Sequence, residues 1–72
     1  MLALAEPVEA DQLRLRHEFL SMPGLTLTVA QAARLLGVRL SHAEALLVEL
    51  EAEGLLIHTA SGTYRRSEPQ MS

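Results

Sequence analysis

The chain has 72 residues, of which 49% are hydrophobic and 3% aromatic, with no cysteine and, among its basic residues, six arginines and no lysine. A chain this short forms one small domain with an aliphatic core and buries only about 60% of its unfolded surface, so a second copy is expected to add stability. Six basic against nine acidic residues give a net charge of −3. That excludes binding nucleic acid through bulk positive charge and leaves only local basic surface for the purpose.

The missing cysteines remove disulfides, thiolate zinc sites and thiol nucleophiles together. The opening Met1-Leu2-Ala3-Leu4-Ala5 carries no basic residue and is interrupted by Glu6-Pro7. Neither a secretory signal nor a membrane span is expected there, and the expected location is the cytoplasm. Residues 1–6 read as an N-terminal tail, 7–66 as the domain, and 67–72 as a C-terminal tail.

From Pro7 to Leu20 the apolar residues Val8, Leu15, Phe19 and Met22 recur at helical steps. Pro7 suits a first helical position, Glu9 favours the positive helix end, and Met22-Pro23-Gly24 stops the helix. Leu13 and Leu20 form a second apolar edge with two readings. It covers the sheet and the third helix within one copy, which is preferred, or it is an oligomerisation surface.

Leu25-Thr26-Leu27 suits a short strand able to pair with a later hairpin. Thr28 and Gln31 then have the spacing of a capping box, followed by Val29, Ala32, Ala33 and Leu36 on one helical face. Gly37 suits a left-handed C-terminal cap with Val38 as its hydrophobic lid. After a connection through Arg39 and Leu40, Ser41 and Glu44 form a second capping box. Ala43, Leu46, Leu47 and Leu50 give the core face of a third helix that ends before Gly54. Leu55–Ala60 and Thr63–Arg66 are hairpin strands around a two-residue Ser61-Gly62 turn, which places Ile57, Thr59 and Tyr64 on one face.

The elements make an α+β, mainly α, protein: three helices, a C-terminal β-hairpin and a short strand before helix two. That is the order of a winged helix-turn-helix. Within Leu27–Arg66, the stretches Leu27-Thr28-Val29-Ala30-Gln31-Ala32-Ala33, Leu36-Gly37-Val38, Glu53-Gly54-Leu55-Leu56 and Gly62-Thr63-Tyr64-Arg65 carry a family likeness. They resemble the winged domains of IclR-type and related bacterial repressors. The resemblance implies that helix three enters the major groove with its N-terminal residues near base edges, while the hairpin lies on a neighbouring backbone or in the minor groove. IclR-type regulators carry an effector-sensing domain after the wing; this sequence ends at Ser72, and a domain acting without one is expected.

Under this reading Arg34, Arg39, Arg65 and Arg66 are candidate phosphate contacts, and Ser41, His42 and Glu44 are candidate groove residues at the leading end of helix three. The arginines equally suit solubilising charges or partners for the glutamates of helix three. That helix turns Ala45, Val48 and Ala52 outward, bordered by Glu44 and Glu51 on one side and His42, Glu49 and Glu53 on the other. Such a face is poor in groove-reading side chains and suits a protein partner instead.

Two functions follow. The first is a DNA-binding transcriptional regulator, expected as a homodimer on double-stranded DNA. The alternative is a winged-helix protein-interaction or adaptor module using Ala45, Val48 and Ala52. Catalysis, metal and cofactor are not expected. His17, His42 and His58 are scattered without ligand spacing or a visible carboxylate partner, no serine sits in a GxSxG sequence, and Glu49 and Glu53 share an open helix face.

Overall fold

Leu15 and Phe19, one turn apart on the first helix, are both fully buried, and they anchor α1 (Pro7–Ser21) on the rest of the domain. The computed structural model describes residues 7–67, with side chains from residue 10 onward. Residues 1–6, the side chains of Val8 and Glu9, and the tail beyond Ser67 lie outside the described residues. Among the described residues three helices and a three-stranded antiparallel sheet follow in the order α1, β1 (Thr26–Leu27), α2 (Val29–Leu36), α3 (Leu40–Ala52), β2 (Leu56–His58) and β3 (Tyr64–Arg66).

The start of α2 is a realised capping box. The amide of Thr28 donates to Gln31 Oε1 at 2.9 Å and the amide of Gln31 donates to Thr28 Oγ1 at 3.1 Å, satisfying two donors that the first helical turn leaves open. Its end is Gly37 at φ 71°, a left-handed conformation that a Cβ disfavours, with the amides of Gly37 and Val38 both returning to the carbonyl of Ala33. Val38 packs against the core as its lid.

The second expected capping box is not formed. The N-cap of α3 is Arg39, in extended conformation and without a side-chain cap bond, and Ser41 is already the second residue inside the helix. With Val38 held against the core, the turn after Gly37 is complete two residues earlier than the Ser41–Glu44 pattern suggests, so Leu40 begins the helix. The expected core face of α3 is present: Ala43, Leu46, Leu47 and Leu50 are all buried.

The sheet order is β1-β3-β2, with Leu27 opposite Tyr64 and His58 opposite Tyr64 on the other side. The hairpin loop differs from expectation by one residue. Thr59 and Thr63 close it, with the Thr59 amide donating to the Thr63 carbonyl at 2.8 Å, and Gly62 occupies a left-handed position at φ 88°. The loop is therefore Ala60-Ser61-Gly62. Because side chains alternate along a strand, that one-residue shift moves Ile57 to the face opposite Tyr64. Leu56, His58, Tyr64 and Arg66 share one face, while Ile57, Arg65 and Thr26 share the other.

The core joins Leu15 and Phe19 of α1 to Ala32 and Ala33 of α2, the apolar face of α3, and Leu27, Leu56 and Tyr64 of the sheet. The small alanines of α2 let it approach α3 closely. Leu13 and Leu20 stay outside, 57% and 48% exposed, and Met22 is 46% exposed. The second apolar edge of α1 thus does not cover the sheet or α3 within one copy. Leu15 and Phe19 already fill the only side of the helix that faces them.

Candidate functional site

The turn between α2 and α3 opens into a hollow of about 460 Å³ lined by Val38, Arg39, Ser41 and His42. Three of the seven candidate DNA-contacting residues meet there. Arg39 and Ser41 are exposed, and His42 is half-buried. The hollow lies at the N-terminus of α3, where the first turn of any helix leaves amides without intrahelical partners and the helix dipole is positive. Among the described residues no side chain caps this end. Uncapped amides, a guanidinium and a hydroxyl suit an anionic oxygen chemically.

His42 does not stand free over the hollow. Its Nε2 lies 3.1 Å from Asp11 Oδ2 of α1, so the carboxylate partner that sequence spacing does not reveal comes from a residue 31 positions away. Two further contacts continue along the same seam. Gln12 Nε2 donates to Glu49 Oε1 at 2.7 Å, and Arg16 forms an ion pair with Glu53. The seam fixes α1 on one flank of α3 and takes up two of the four glutamates that border the outward face. Glu44 and Glu51 remain exposed on the other flank.

Arg34 lies exposed in the last turn of α2, where a cation complements the negative helix end. Arg65 is exposed on the same sheet face as Thr26 and Ile57. Arg66, the next residue, points to the opposite face, half-buried, with its Nε buried and unpaired among the described residues. Arg65 and Arg66 therefore cannot act as one clamp, because neighbouring strand residues alternate between faces. Among the described residues none of Arg34, Arg39, Arg65 and Arg66 forms an ion pair with a glutamate of α3; Arg16 does so instead.

Tyr64 fastens the hairpin beneath this surface. It is 3% exposed, and the His58 ring stacks on it with centroids 4.4 Å apart and planes 3° from parallel. Burial, and then the carboxylates of Glu51 and Glu44, push its hydroxyl above the ordinary value of 10.0. At the hairpin tip the hydroxyls of Thr59 and Thr63 are 2.8 Å apart and those of Thr59 and Ser61 3.0 Å apart, which ties the loop together.

Outward on α3, Ala45, Val48 and Ala52 are exposed, Val48 by 46%. Among the described residues no group of three or more histidines and carboxylates is placed to hold a metal ion. No helix of the described residues is long and apolar enough to cross a membrane. No protein-family model matches the chain, and comparison with curated proteins and with solved structures finds no match.

Proposed function

We propose that the chain is a small winged helix-turn-helix protein that binds double-stranded DNA and regulates transcription. The observation that carries the reading is the uncapped N-terminus of α3, which opens with Arg39 and Ser41 into the hollow beside the α2–α3 turn. A DNA phosphate oxygen matches that chemistry, and binding there aims the leading end of α3 into the major groove. Arg34 in the last turn of α2 and Arg65 on the sheet are the further phosphate contacts of this reading.

The glutamates count against nucleic acid less than their number implies. Glu53 is neutralised by Arg16, and Glu49 is held against α1 by Gln12. Glu44, Glu49 and Glu51 keep their charge, and Glu49 is drawn toward α1. Replacing Arg34, Arg39 and Arg65 together by alanine tests the reading: duplex affinity falls by at least tenfold while the helical content stays unchanged. Undiminished affinity in a folded triple variant would overturn this mode of binding.

A homodimer belongs to the same proposal, paired through α1. Leu13 and Leu20 are exposed one heptad apart, and Arg14 and Glu18, without ion pairs among the described residues, border them. An antiparallel two-fold pairing sets Leu13 against Leu20 of the second copy and brings Arg14 near its Glu18. Sedimentation of Leu20→Glu checks it; a dimer that survives the substitution contradicts this interface.

A second reading is favoured by the exposed Ala45, Val48 and Ala52 beside Glu44 and Glu51, which form no ion pair among the described residues. That face suits the apolar side of a basic helix in another protein. The substitution Ala52→Arg separates the readings further, since it blocks the docking of a basic helix while touching neither the arginines nor the leading end of α3.

A further inference from the structure

The outward face of α3 carries none of the side chains that pair bidentately with purine edges. Arginine or lysine on guanine, and asparagine or glutamine on adenine, need two donors or a donor and an acceptor held side by side. Leu40, Ser41, Glu44, Ala45 and Val48 are the exposed residues of the first two-thirds of the helix, Leu40 by 58%. His42 and Glu49 are withdrawn to Asp11 and Gln12 of α1. Hydrogen-bond readout is therefore confined to Ser41 and Glu44, and the rest of the face offers methyl groups.

In the major groove one base presents an apolar group, the C5-methyl of thymine. Resting on the nucleic-acid reading above, we infer that α3 discriminates sequence through thymine methyl groups packed against Ala45 and Val48. Val48 is 46% exposed and Ala45 is exposed, so both retain apolar surface to bury on binding. Their branches are short enough for the helix axis to approach the groove floor. Glu44, an acceptor only, is repelled by the acceptor edge of guanine and tolerates the amino group of cytosine. The preferred half-site is accordingly rich in thymine on the contacted strand and lacks guanine there.

The test uses the full chain and a random-sequence duplex pool at low salt. Bound duplexes are selected, and the best are resynthesised with deoxyuracil in place of thymidine, which removes the methyl and keeps the pairing. The expected loss is about fourfold in affinity for each methyl group buried. Val48→Ala lies on an exposed helix position and raises helix propensity, so it keeps the fold. It narrows the thymine–uracil difference, which separates methyl contact from any change in duplex flexibility.

Equal affinity for the thymine and uracil duplexes overturns the inference while leaving DNA binding intact, and so does a thymine–uracil ratio that Val48→Ala does not change. Absence of any binding to the pool at low salt overturns the nucleic-acid reading, and this inference with it.

Discussion

The imidazole of His42 and the carboxylate of Asp11 meet 3.1 Å apart across the seam between α3 and α1, with 28% and 25% of the two side chains exposed. Helix one thus takes part in the site by deciding which side chains of α3 remain free. His42→Ala is expected to lower stability by about 1 kcal/mol, the value of a partly covered hydrogen bond. Denaturant unfolding reads this directly. A variant with unchanged stability and strongly weakened duplex binding would show instead that His42 reaches DNA.

The two ends of the α2–α3 unit respond differently to cap mutations. Thr28→Ala removes a bond to the Gln31 amide and costs about 1 kcal/mol. Ser41→Ala, at the second position inside α3, removes no cap and leaves stability within about 0.5 kcal/mol of the parent. Comparing the two by thermal or urea unfolding checks the observed start of α3. Equal losses would mean that Ser41 does cap the helix.

Tyr64 predicts how stability depends on alkaline pH. Its folded pKa is raised, so above the unfolded value of 10.0 the unfolded chain loses the phenolic proton first and is favoured. Stability is fully present below pH 10.0 and falls as pH climbs through the folded value. The sequence isolates this effect: it holds one tyrosine and no lysine or cysteine, and arginine stays charged throughout the range. Unfolding of the parent between about pH 9 and 11 should show the decline, and Tyr64→Phe should flatten it. An unchanged slope in the variant would place the effect elsewhere.

Helix boundaries were legible where a local signal and the core asked for the same thing. Thr28, Gln31 and Gly37 carry their own conformational instructions, and Val29–Leu36 obeys them. The same pattern at Ser41 and Glu44 fails because a cap contributes only about 1 kcal/mol. The docking of Val38 in the core sets the turn length at greater advantage. In the hairpin, Ser61-Gly62 reads as a two-residue turn, but the hydroxyls of Thr59 and Thr63, 2.8 Å apart, stabilise a three-residue loop. One residue of loop then moved Ile57 from the face of Tyr64 to that of Arg65.

Of the candidate site, the exposed Arg34, Arg39 and Arg65 and the outward Ala45, Val48 and Ala52 were visible in helical and strand periodicity. The seam was not. Asp11, Gln12 and Arg16 stand 31 to 37 positions from their partners on α3, and no local pattern couples residues over that distance. The one available signal was charge: the acidic residues of α3 need partners, and α1 carries Arg16 at a position flanking its buried Leu15 and Phe19.

The central claim is that local arginines beside an uncapped helix end give an acidic protein affinity for DNA. Titration of a fluorescent random-sequence duplex with the protein, repeated over a series of salt concentrations, tests it most directly. The account predicts binding at low salt, with log affinity falling against log salt at a slope of about −3, the signature of about three phosphate contacts. Absence of binding at low salt, or affinity indifferent to salt, would contradict it and turn attention to a protein partner on Ala45, Val48 and Ala52.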